Sequence, residues 1–176
     1  MDDALQIVAE MHQSLWDRFQ RSLDDLAEDE IDWRFLPQAN SINLIVRHLR
    51  IESEWHLRSL QSGEPMPTIA APACQEAIDA VPFDFADNLN TLQRLYADFS
   101  AVLREQSLGT LNEKSAATYG EAIRGRGVAY VLAYHQAIHL AHHTGQIQTI
   151  RNLYRKTRGE PARFFPENPT FPGGHK

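Results

Sequence analysis

The feature that most constrains this chain is helical periodicity. Apolar residues recur at steps of three and four in four separate stretches, and none of these alternates as a run of strands would. The cleanest stripe is Phe85, Leu89, Leu92, Tyr96, Phe99 and Leu103. The first carries Leu5, Val8, Leu15, Phe19 and Leu26, with His12 on the same side. The second begins at "NSINLIVRHL", where Asn40 or Ser41 can cap the helix, and its apolar side takes in Ile42, Ile45, Leu49 and Trp55. The last runs from about Val128 to about Tyr154, with Arg151, Arg155 and Lys156 towards its C-terminal end and Gly159 as a stop.

Four amphipathic helices predict an all-α protein, a four-helix bundle with long connections. The link "AEDEIDWRFLPQA" joins the first two helices; the next two connections, "SGEPMPTIAAPACQEAIDAVP" and "SLGTLNEKSAATYGEAIRGRG", are long enough to pack over the bundle ends or to carry short helices. The tail from about 159 to 176 has four prolines and three phenylalanines, which suggests an extended segment docked on the domain or on a partner chain. A chain of 176 residues fits one domain. Its net charge of −6 argues against non-specific nucleic-acid binding. No apolar run approaches the roughly 20 residues that cross a bilayer. The acidic start "MDDALQIVAEMHQ" does not read as a secretory signal, so a cytoplasmic protein is expected. The single cysteine, Cys74, excludes an internal disulfide and is read as incidental.

Half of the eight histidines fall between residues 135 and 143, in "HQAIHLAHHTGQI". Stepping along the fourth helix from Val128 lands on Leu132, His135, His139, His142, Gln146, Thr149 and Leu153, a stripe predicted to face the bundle interior. A lone core histidine is usually structural, held by a carboxylate or a carbonyl. Several in succession are costly unless something shared satisfies their ring nitrogens, and a metal ion does so. Spacing of i, i+4 lets two imidazoles of one helix reach one ion, which leaves both His135 with His139 and His139 with His143 open. On the second helix His48 is flanked by apolar residues, and Glu52 lies one turn further as a fourth ligand or general base. His12 is read as structural or near the rim of the site, His56 as pointing to solvent, and His175 as incidental.

At "HLAHHTGQIQTIR" the sequence resembles the DinB/YfiT-like superfamily, in which two histidines four apart precede a Gly-Gln-Ile on the last helix of a four-helix bundle. His139, His143, Gly145, Gln146 and Ile147 match that pattern, and "NSINLIVRHL" is similar to the motif that carries the third histidine on the second helix. The resemblance covers most of residues 1 to 158. It implies a divalent ion, zinc or nickel, held by His48, His139 and His143. It also implies a homodimer, and an activity of the kind found in related proteins that transfer low-molecular-weight thiols to electrophiles.

Three neutral imidazoles leave an ion its full charge and at least one open position, so a bound thiol or water can be activated. Glu52 and Gln146 are the candidates to orient that ligand or the backs of the imidazoles. The expected partners are therefore a small-molecule thiol and an electrophile, with no nucleic acid and no membrane. The alternatives are a metal-binding stress-response bundle whose ion only stabilises the fold, and an interaction module without metal. Di-iron chemistry is disfavoured because no Glu stands three residues before any of these histidines.

Overall fold

The computed structural model describes residues 3–62, 72–105 and 136–164, and the described residues are helical without strands. The helices are α1 (Asp3–Ser22), α2 (Glu28–Ile31), α3 (Ile42–Ser62), α4 (Pro72–Asp79), α5 (Phe85–Glu105) and α6 (Ala137–Thr157). The connection before the fourth long helix, the start of that helix with His135, and the tail beyond Phe164 with His175 lie outside the described residues.

Local chemistry sets the helix ends. Ser41 caps α3: its Oγ accepts from the Leu44 amide at 3.2 Å, while its carbonyl takes the first helical bond, from Ile45. Asp84 does the same for α5 through the Asp87 amide at 2.9 Å. Pro72 stands at the first position of α4, where its missing N–H costs nothing. Gly159, at φ +73, stops α6 in the left-handed region that glycine enters without strain. α4 falls within the second long connection, as expected, whereas α2 adds a short helix to the first.

The four long helices form a ring in which α1 and α3 each pack against both α5 and α6. Helices consecutive in sequence, α1 and α3, thus sit diagonally. Between them lies a core of Trp16, Phe19, Ile42, Ile45, Val46, Leu49, Leu92, Tyr96, Leu140 and Ile147. Each such large apolar side chain contributes about 1.5–3 kcal/mol on burial. Trp16, which the predicted α1 stripe left out, stacks on Tyr96 with ring centroids 4.4 Å apart. Trp55, expected in the core, is half-buried.

Two buried guanidiniums tie the connections down. Arg47 of α3 donates from Nε to the Val81 carbonyl at 2.8 Å, and from Nη2 to that of Ile78, with Phe83 stacked over it. Arg151 of α6 is 1% exposed. It pairs with Glu30 through Nε at 2.9 Å and donates to the carbonyls of Ser22, Asp24 and Asp25. Those carbonyls belong to the end of α1 and the turn after it, and Arg163 also donates to that of Asp24; Asp25 takes φ 53 to turn the chain there. This burial corrects the sequence reading, which grouped Arg151 with Arg155 and Lys156 as cations towards the helix end.

The α6 stripe needs the same correction. Its buried residues are Ala137, Leu140, His143, Thr144, Ile147, Arg151 and Tyr154. The predicted inward row fails at His142 and Thr149, which are exposed. The two rows differ by roughly one residue, or about 100° of rotation. The first tail residues dock on the bundle. The amides of Arg163 and Phe164 both donate to Asn152 Oδ1, and Arg163 donates to the Asp24 carbonyl.

Candidate metal centre

The rotation of α6 places His143 at the edge of the core and His139 one turn earlier at the margin, where α6 meets α3. From α3, His48 reaches the same point because Ile45 and Leu49 on either side of it are anchored in the core. The Nε2 atoms of His48 and His139 are 3.0 Å apart, and those of His139 and His143 are 2.9 Å apart. Together the three rings form a group whose ligand atoms all lie within 4.8 Å of one another.

Tautomers follow from Gln146. Its amide nitrogen, which can only donate, lies 2.9 Å from His142 Nε2, so that ring nitrogen accepts. Its carbonyl oxygen, which can only accept, lies 2.8 Å from His143 Nδ1, so His143 carries its proton there. His143 Nε2 is left with a lone pair aimed at the other two rings. Burial holds this imidazole below its ordinary pKa range, the Gln146 bond partly offsetting the effect.

The three imidazoles satisfy one another poorly. His139 Nε2 has at most one N–H for the two nitrogens that crowd it, which leaves at best a weak, shared bond. A cation resolves the conflict by taking all three lone pairs. Ligands at 2.0–2.1 Å in tetrahedral geometry sit about 3.3 Å apart, close to the two spacings seen. The residues present therefore fit a small divalent ion.

Glu52 lies beside the cluster, 4% exposed. Its Oε1 is 3.5 Å from His48 Nε2 and its Oε2 is 3.4 Å from His139 Nδ1. Oε2 makes no aligned hydrogen bond among the described residues. Burial pushes this carboxyl up to about 7. The converging group comprises the three histidines, with Glu52 behind His139 and next to His48.

Of the other predicted histidines, His12 is buried against Phe99, with ring centroids 5.3 Å apart. His142 is exposed and bound to Gln146. His56 is 2% exposed, which overturns the expectation that it points to solvent. Its spacing carried the signal: it follows Glu52 by four residues and His48 by eight, on the same inward face. Sequence reasoning also missed the cavity of about 240 Å³ beside the cluster, lined by Asn40, Leu44, Ile45, His48 and His143. Asn40 belongs to the connection before α3, which periodicity cannot place.

Fold and cluster together define a helical bundle with a three-histidine group able to hold a metal ion. The chain belongs to the DinB superfamily, whose family model matches residues 11–147 and so spans all three histidines, Glu52 and Gln146. That superfamily includes metal-binding thiol transferases. Comparison with curated proteins and with solved structures returns no match. No helix among the described residues is long and apolar enough to cross a membrane.

Proposed function

We propose that the protein is a metal-dependent enzyme in which His48, His139 and His143 hold one divalent ion, zinc or nickel, and that it transfers a small-molecule thiol to an electrophile. The observation that carries this reading is the mutual frustration of the three Nε2 atoms, with His143 locked in the tautomer that leaves its lone pair free. When bound, the ion supplies positive charge that lowers the pKa of a thiol or water beside it.

The chain's own residues divide the remaining work. Gln146 keeps the proton of His143 on Nδ1. Glu52 Oε2 lies 3.4 Å from His139 Nδ1, where its charge favours the ring proton on that side and the lone pair on Nε2. With a proton affinity near neutrality, Glu52 also suits the role of proton acceptor from an incoming thiol. The sulfur then bonds to the electrophilic carbon, and the leaving group departs with the bonding pair and takes the proton from Glu52. Water in place of the thiol gives a hydrolase by the same route. Family membership favours the thiol.

The second reading, an ion that only stabilises the bundle, predicts a closed site. The adjoining cavity beside His48 and His143 favours the open, catalytic version. The test is metal content by mass spectrometry for wild type beside His48→Ala, His139→Ala and His143→Ala, followed by a thiol-consumption screen with electrophiles. About one ion per chain, lost in each variant, is expected. Wild type that takes up no divalent ion on loading would refute the proposal.

A further inference from the structure

The face of α6 next to the histidines borders a second, larger cavity of about 600 Å³, within the range of small-molecule sites. It shares Asn40 and Ile45 with the smaller cavity that His48 and His143 line, so the two adjoin. Gln146 joins them chemically: it lines the larger cavity and holds His143 at 2.8 Å.

The character of the walls sets the class of ligand. Phe35, Ile150 and Leu153 supply apolar surface, while Asn40, His142, Gln146 and Thr149 offer hydrogen-bonding groups. No carboxylate, ammonium or guanidinium lines the cavity among the described residues. A cation would give up its hydration here with no carboxylate to receive it, and an anion would find only the His142 ring, whose Nε2 already accepts from Gln146. Gly145 leaves room in the wall for such a ligand. It stands in the interior of α6, where glycine is disfavoured, yet a Cβ placed on it would meet nothing within 4 Å. No neighbouring side chain requires that gap, and a bound molecule would use it. Phe35 forms the outer lip, 56% exposed, and a ligand between it and Gly145 would cover its ring.

We propose that this cavity binds the organic acceptor of the reaction, and that the acceptor is an uncharged molecule with a largely apolar body whose reactive end points towards Gln146 and His143. The inference rests on the reading under "Proposed function" and extends it by naming the class of electrophile.

Fluorescence titration of the full chain with N-phenyl-1-naphthylamine, a neutral two-ring probe, tests it against the anionic 8-anilinonaphthalene-1-sulfonate. The neutral probe should saturate at about one per chain and bind at least about tenfold more tightly than the sulfonate. Gly145→Leu should weaken the neutral probe by about tenfold or more while keeping the wild-type metal content and melting curve. His48→Ala should lose metal and keep the probe. Equal affinity for the two probes, neutral-probe binding untouched by Gly145→Leu, or no saturable binding would each overturn the proposal. So would binding that strengthens as the protein is diluted, the mark of a second copy covering the cavity. Metal uptake is read separately, so a chain that binds the probe but no ion refutes the three-histidine reading and leaves the cavity assignment standing.

Discussion

Gln146 holds His143 from behind: its side-chain oxygen lies 2.8 Å from Nδ1, on the far side of the ring from the nitrogen that faces His139. The amide has no contact with the convergence point itself, so its influence on a bound ion passes through one imidazole. Gln146→Leu should weaken zinc or nickel binding by about 10–100-fold, the usual effect of removing such a partner, with little change in melting temperature of the metal-free chain. Competition titration against a chromophoric chelator reads this directly. Unchanged affinity would mean that His143 does not need its tautomer fixed.

Glu52 gives the metal-free protein a pH dependence of definite sign. Burial raises its pKa from 4.5 to about 7, so the folded chain holds this proton more tightly than the unfolded chain does. The associated stability is fully present below about pH 4 and is lost as pH rises through about 7. That rise corresponds to about 3 kcal/mol. Urea unfolding in the presence of chelator should show this loss in wild type and a flatter profile in Glu52→Gln. A wild-type profile as flat as that of the variant would contradict it.

Metal loading should stabilise the fold by mass action. At free ion 100 times Kd the gain is about 2.7 kcal/mol, or roughly 5–10 °C in melting temperature for a chain of this size. His48→Ala should remove most of that shift. A shift of equal size in the variant would place the stabilising ion elsewhere.

Arg151 and Glu30 form a buried pair, and removing either partner leaves the other charge uncompensated. Glu30→Gln should cost about 3–5 kcal/mol. Arg151→Met should cost at least as much, because the carbonyls of Ser22 and Asp25 lose their donor as well, while that of Asp24 keeps Arg163. Chemical denaturation of the two variants distinguishes the contributions. A smaller effect for Arg151→Met would show that those carbonyls find water instead.

The three histidines were legible because two short motifs marked them, even though the helical projection alone pointed elsewhere. It turned α6 so that His139 and His142 faced inward. The true inward row contains His143, Thr144 and Arg151, whose polarity hides it from any count of apolar spacing. Arg151 belongs there because Glu30 and three carbonyls receive it, and Glu30 sits in an acidic run that sequence reading treats as solvated link. The diagonal placement of α1 and α3 was equally hidden, since amphipathic stripes say which face is buried and not which neighbour buries it. The core of α5 was read correctly because Leu92, Tyr96 and Phe99 are apolar and regularly spaced.

Arg151 meets Glu30 across 121 positions of sequence, and His48 meets His139 across 91. During synthesis the chain therefore emerges with α1, α3 and α5 already made while the groups that complete both sites are still to be translated. At about 5–20 residues per second, the N-terminal helices wait several seconds before α6 can cover the faces they turn towards it. The three histidines can therefore converge only after the last helix has been released.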